Sequence, residues 1–295
     1  MLGGPTPAPA DRHRAMRVLI TGGAGLVGSA LCASTPLGVD VEVTVRARAA
    51  AEGVRSHLIG LDEPGAFASL VGSRRPDLVI HTAYSIGALE RDVIRATSEV
   101  VAGCVEHGVD LVYFSTDALF DGEHAPYVES DDPSPVHDYG RAKAEAEWDV
   151  RRRLPDATVI RTSIVFSTDP LDGASSWVVD ALASGRRVTL FTDEMRTPIR
   201  VGDLAEQTWE IARMPVAQRR GVWHLGGPAV LSRADLGDVL CDAFGLDRSL
   251  IDAVPSATSA VPRPRDLSLR SDRARSLSVR PSAIGSVDRH GQTQR

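Results

Sequence analysis

Membrane-length apolar runs are missing from this 295-residue chain, and its opening MLGGPTPAPADRHRA lacks the apolar core of a secretion signal. The expectation is a cytoplasmic protein with neither a helical membrane span nor a leader of the usual form. Cysteine is scarce. Cys32, Cys104 and Cys241 lie far apart, with neither the CxxC spacing of a metal site nor an even disulfide framework, so no metal is expected and a reducing compartment is the simplest setting. Basic excess is lacking too, with 33 Lys plus Arg against 39 Asp plus Glu. That removes the electrostatic footprint for nucleic acid or an anionic membrane, and any positive site must be local. Internal repeats are absent as well.

What is present is a globular composition, 43% hydrophobic, enough for one large domain or one domain with a smaller lobe. From Met16 to about Ile160, the β-branched runs RVLIT, VEVTV, DLVIH, DLVYFS and TVIRT alternate with segments long enough for crossover helices. This order predicts an α/β fold, a doubly wound parallel sheet of the Rossmann kind. Glu90 to Glu106 carries Val93, Ile94, Val100, Val101 and Cys104 at helical spacing and stops before Gly108, as a covering helix would. Beyond about Phe166 the elements are shorter and broken by GASSW, RTP, GGP and PSATSAVPRPR. They predict a smaller C-terminal α/β lobe.

VLITGGAGLVGSAL places Gly22, Gly25 and Gly28 directly after a β-run and at the head of a helix, with Leu26 and Val27 at its first turn. Such glycines permit a tight turn, close backbone approach to a pyrophosphate and close helix–strand packing, and the helix end favours anions. An ordinary tight βα turn is the other reading, and context favours the dinucleotide. About 20 residues on, an acidic side chain would hold a ribose 2′-hydroxyl and a basic one a 2′-phosphate. Arg46 stands there in VTVRAR, with Arg48 close by; unless both are solvated surface arginines, they favour NADP(H) over NAD(H). The expected organisation is a disordered extension at 1–15, with Met16 an alternative start. An NADP-binding domain follows at 16–165, taking in interleaved later segments, then a substrate lobe at 166–280 and a frayed tail at 281–295.

Tyr139-Gly-Arg-Ala-Lys143 supplies the sharpest chemical signal, with Ser115-Thr116-Asp117 upstream at a strand end. Residues four apart share a helix face, so Lys143 can sit beside the Tyr139 phenol. A tyrosine ionises near pKa ~10, and a neighbouring ammonium would draw that down. Tyr139 then exchanges a proton with a substrate oxygen, Lys143 tunes it, and Thr116 or Ser115 orients the reacting oxygen. Asp117 is a secondary substrate-binding candidate or an Asx turn.

These residues resemble the extended short-chain dehydrogenases/reductases, and within them the dTDP-4-dehydrorhamnose reductase-like branch of sugar-nucleotide enzymes. The match rests on YFSTDALFDGEHAPYVESDDPSPVHDYGRAKAEAE, VIRTSIVF, RTPIRVGDLA, GVWHLGGPAVLSRADLG and RPRDLSLRSDRA. The resemblance implies reduction of a nucleotide-activated 4-keto sugar by NADPH, with Leu61 and Asp62 near the adenine and Ala83, Tyr84 and Ser85 over the cofactor ribose. It implies Arg196 and Arg263 on a substrate diphosphate, where the other reading is a salt bridge. It also implies a small-molecule sugar-nucleotide partner, with a homodimer common in the family. An epimerase or dehydratase, and a non-catalytic NADP-binding regulatory subunit, are the alternatives. Three positions depart from the pattern. Val93, with Asp92 beside it, stands where a lysine-positioning Asn is usual, Ile164 where rhamnose-pathway reductases carry Trp, and Glu194 where Gln is usual.

Overall fold

A computed structural model of the protein describes residues 14–47, 50, 52–261 and 263–285. The five β-branched runs become strands β1 (Met16–Thr21), β2 (Val39–Val45), β4 (Leu78–His81), β5 (Asp110–Thr116) and β6 (Thr158–Thr162). Between β2 and β4 lies β3 (Arg55–Leu58), an edge strand with three of its four residues exposed, so no apolar run announces it. Helices α1 (Leu26–Ala33), α2 (Ala66–Arg74), α3 (Ala96–His107) and α4 (Asp138–Arg153) make the crossovers. The predicted covering helix enters through a π-helical turn, Glu90–Arg95, before α3 proper.

The later half of the chain gives β7 (Val165–Phe166), α5 (Gly173–Ala183), β8 (Val188–Phe191), β9 (Met195–Arg196) and β10 (Ile199–Arg200). Then come α6 (Val201–Ala212), α7 (Val216–Arg219), β11 (Gly221–Leu225), β12 (Leu231–Ser232), α8 (Arg233–Phe244) and β13 (Ile251–Val254). The large sheet has seven parallel strands in the order β11-β6-β5-β4-β1-β2-β3. The chain leaves β1 in one direction for β2 and β3 and returns on its other side for β4. A crevice at the carboxyl ends of those strands is the ligand position such a reversal creates.

Side chains alternate across the sheet, and both faces are covered, as a parallel sheet requires. Ile20, Val43, Ile80 and Val112 pack on one side with Trp209 and Trp223, while Leu19, Val79, Leu111 and Val159 pack on the other with Val100 and Val101. The lobe has its own small core, in which Val178 and Leu182 of α5 and Leu236 and Leu240 of α8 cover Val188 and Leu190 of β8, itself paired with β13. β11 and α6 return to the large sheet. Trp209 of α6 donates its indole N–H to the Leu31 carbonyl at 3.0 Å.

The start of the tail is tied down rather than frayed. Ile284 is 5% exposed in the lobe core and the Ser282 amide donates to Asp203 at 2.6 Å. Most of the extension at 1–15 and the rest of the tail, 286–295, fall outside the described residues. No helix among the described residues is long and apolar enough to cross a membrane, and these residues hold no cluster of His, Cys, Asp or Glu fit to bind a metal ion.

β6 carries an arginine in its buried middle. Arg161 and its partner Glu147 on α4 are both 0% exposed, joined at 2.7 Å, with a further bond from Arg161 to the Asp131 carbonyl at 2.9 Å. Removing one partner of such a pair strands the other charge. Glu147→Ala is therefore expected to cost about 3–5 kcal/mol, read as a lower urea midpoint with the far-ultraviolet circular dichroism of the folded chain retained at low temperature.

Candidate active site

A cleft of about 980 Å³ lies over the crevice and is walled by both the sheet and the lobe. Its floor is the glycine turn. Gly22 has a φ of 76°, a left-handed conformation, and its carbonyl accepts the Gly25 amide at 2.9 Å. A Cβ on Gly28 would collide with that same carbonyl oxygen, so α1 seats on the turn only because the side chain is absent. Leu26 and Val27 begin α1 and line the cleft; first-turn amides have no partner within a helix. The neighbouring strand end is fixed by Thr21, whose hydroxyl lies 2.6 Å from His81 and accepts the Ala83 amide at 3.3 Å. Ala83, Tyr84 and Ser85 form the wall above it.

The Tyr-Lys pair sits opposite. α4 is capped by His137, whose ring accepts the Gly140 amide at 2.9 Å. A Cβ on Gly140 would strike the Ala118 carbonyl, so this glycine lets the helix press against the turn that follows β5. Tyr139 is thereby set beside Thr116, and Lys143 one turn below it is 4% exposed. Lys143 Nζ donates to the Phe114 carbonyl at 2.6 Å and lies 4.4 Å from the Tyr113 ring centre. It is the chain's single lysine; every other one of the 33 Lys and Arg residues is arginine.

The expected tuning of the phenol runs the other way in this structure. Burial pushes Tyr139 well above the ordinary tyrosine range, Tyr84 and Asp117 add to the rise, and only the Thr116 hydroxyl opposes it. Lys143 exerts no such pull because it is itself desolvated, which draws it down from 10.5 to about 7. Thr116 accepts the Ala118 amide at 3.2 Å and donates to Asp117 at 3.3 Å. Ser115 is 4% exposed, lines the cleft, and its hydroxyl has no hydrogen-bond partner among the described residues. A buried hydroxyl left so is costly unless a ligand completes it.

Asp117 is more than a turn residue. Ser163 donates to it at 2.7 Å and Arg196 Nε lies 3.8 Å away, yet burial outweighs both and raises its pKa. Ser163 and Ile164, immediately after β6, line the cleft at this end, as does Arg196. The role of Ser163 was missed in the sequence, where its only signal was its place after TVIRT. Arg263 does not line the cleft. It pairs with the buried Glu194 at 3.3 Å and stacks over Phe191 at 5.2 Å, so the glutamate found in place of glutamine gives this arginine a local partner.

At the far end of the cleft, Arg46 donates to Asp92 at 2.6 Å and lies 3.8 Å from Asp62. Asp92 is thus turned toward Arg46 and Arg91, while Val93 is 1% exposed in the apolar core. Neither takes the place of an asparagine beside the lysine. Leu61 lines the cleft and Asp62 a cavity next to it. Arg48 lies outside the described residues.

A glycine-turn crevice in a doubly wound sheet, facing a Tyr-x-x-x-Lys helix and closed by a C-terminal lobe, defines a dinucleotide-binding protein of the extended short-chain dehydrogenase/reductase type. More particularly, the chain belongs to the family described as RmlD substrate binding domain, whose profile matches residues 16–282. A probable low-salt glycan biosynthesis reductase of Haloferax volcanii is 36% identical over 163 residues, 54% of this chain and 53% of that protein, so the match spans about half of that relative. The dTDP-4-dehydrorhamnose reductase of Mycobacterium tuberculosis is 29% identical, over 85% of this chain and 83% of its own. Methionine adenosyltransferase 2 subunit beta of Danio rerio is 26% identical, over 89% and 85%. Among solved structures, a hypothetical dTDP-4-dehydrorhamnose reductase from Sulfolobus tokodaii superposes with a TM-score of 0.76 at 27% identity, covering 90% of this chain and 96% of that one.

Proposed function

We propose that the protein is an NADPH-dependent reductase of a nucleotide-activated 4-keto sugar. The observation that carries this reading is the meeting of Tyr139, Thr116 and Lys143 in the cleft whose floor is the glycine turn. The residues fit a dinucleotide: Gly28 leaves the α1 seat free of a side chain, and the buried Ser115 hydroxyl has no partner among the described residues. The nicotinamide cofactor, when bound, supplies the hydride.

The chain's own residues do the remaining work. Tyr139 gives its phenolic proton to the carbonyl oxygen as charge develops there, and the burial that raises its pKa keeps that proton in place beforehand. A proton donor for reduction starts from that neutral state. Thr116 and Ser115 hold the reacting oxygen. Lys143, with one of its three donors fixed by the Phe114 carbonyl, has two left for hydroxyls of the ribose. Asp117 and Arg196 form the wall on the sugar side. The named reductase relative supports the substrate class.

A second reading, a dinucleotide-binding regulatory subunit without turnover, is favoured by the match to the methionine adenosyltransferase subunit over 89% of the chain. The two part on one assay. Loss of NADPH absorbance on mixing with dTDP-linked 4-keto sugars is expected; a protein that binds NADPH tightly yet consumes none across such a panel ends the reductase proposal.

A further inference from the structure

A second cavity of about 650 Å³ opens beside the cleft, sharing Arg46 and Ile59 with it and lined also by Gly60, Asp62, Glu63 and Arg91. The reaction proposed above makes no use of Arg91. It sits in the π-helical turn Glu90–Arg95, a rare backbone form frequent at functional sites. Through Nε it donates to Asp92 Oδ1 at 2.8 Å and through Nη2 to Oδ2 at 3.1 Å, while Arg46 donates to the same Oδ1 at 2.6 Å.

One carboxylate, its side chain 2% exposed, therefore anchors two guanidinium groups whose side chains are 50% and 51% exposed. A guanidinium carries five N–H donors in a fixed plane. Among the described residues, Asp92 takes one of those on Arg46 and two of those on Arg91, and both side chains line the cavity.

We propose that Arg91, held in place by Asp92, is the second guanidinium of a phosphate-monoester subsite and decides the preference for NADP over NAD. Charge explains why Arg46 alone would not suffice. It lies between Asp92 at 2.6 Å and Asp62 at 3.8 Å, and with only these neighbours the spot is net negative, suited to a ribose hydroxyl and hostile to phosphate. Arg91 restores the balance and brings a second planar fork, the geometry that holds phosphate oxygens best. Glu63 lies exposed on the same rim, where water and salt weaken its repulsion.

The inference rests on the dinucleotide reading of the cleft but not on turnover, so the test is binding. Wild type and Arg91→Ala would be titrated calorimetrically with NADP, NAD, adenosine 2′,5′-bisphosphate and adenosine 5′-monophosphate. Arg91→Ala is expected to weaken NADP and the bisphosphate by roughly tenfold or more while NAD and the monophosphate stay within about twofold. Asp62→Asn, which removes the competing carboxylate, is expected to tighten NADP several-fold. Equal weakening of all four ligands by Arg91→Ala would show a merely structural residue and overturn the proposal, as would an unchanged NADP preference in either variant. A wild type that shows this preference but reduces no keto sugar would sink the reductase reading alone.

Discussion

Tyr139→Phe is expected to lower kcat by roughly 10²–10⁴-fold, the usual contribution of a positioned proton donor, with NADPH affinity nearly unchanged. The substitution removes one oxygen and leaves the ring, whose contacts with Tyr84 at 6.0 Å and His137 at 6.3 Å hold it in the wall of the cleft. Thr116 keeps its bonds to Ala118 and Asp117, so the pocket stays in shape while the donor is gone. Steady-state rates with a reducible sugar nucleotide, set beside fluorescence titration with NADPH, separate the two effects. Turnover that survives in the phenylalanine variant would place the proton donor elsewhere.

Lys143→Met is expected to abolish reduction and yet make the protein harder to unfold. Burial draws this ammonium from 10.5 to about 7 in the folded chain. Between those values the unfolded chain holds a proton that the folded one has released, so stability rises with pH from about 7 to about 10.5 and the cost is present in full below about 7. A shift of that size corresponds to about 3–5 kcal/mol. Methionine fills most of the volume without the charge but loses the bond to the Phe114 carbonyl, so a net gain of about 1–3 kcal/mol is expected at neutral pH, fading by about pH 10. Urea midpoints across that range check it. Because the chain has one lysine, ¹³C-lysine labelling yields a single side-chain signal whose titration reads this group directly, and a midpoint at about 10 would contradict the argument. On the reductase reading, this is stability given up at a position the reaction needs.

Much of the candidate cleft was legible in the sequence because its parts are local. The glycine turn spans seven residues, Tyr139 and Lys143 share one helix face, and Ser115-Thr116-Asp117 closes a strand that its own β-branched pattern announces. What escaped is what distance in sequence hides. Arg46 finds Asp92 across 46 positions and Arg263 finds Glu194 across 69, and no periodicity points from one to the other. The sign of the shift at Tyr139 escaped for a related reason: spacing shows that a lysine is near, while the balance between its pull and desolvation depends on how deeply both are packed. β3 was hidden by its polar, exposed residues, and Ile284 by the irregular segment that carries it into the lobe core.

The seventh strand has a bearing on how such a molecule could be made in pieces. β6 is hydrogen-bonded on one side to β5 and on the other to β11, which the ribosome delivers only after the whole of residues 163–220. A gene cut at the apparent seam near Phe166 would encode a product with β6 as a bare edge, stripped of Trp209, Trp223 and Leu225 from the layer that covers it. Such edges template association between chains. A piece ending near Phe166 is therefore expected to precipitate when expressed by itself, and any cut that keeps β6 covered must fall beyond β11.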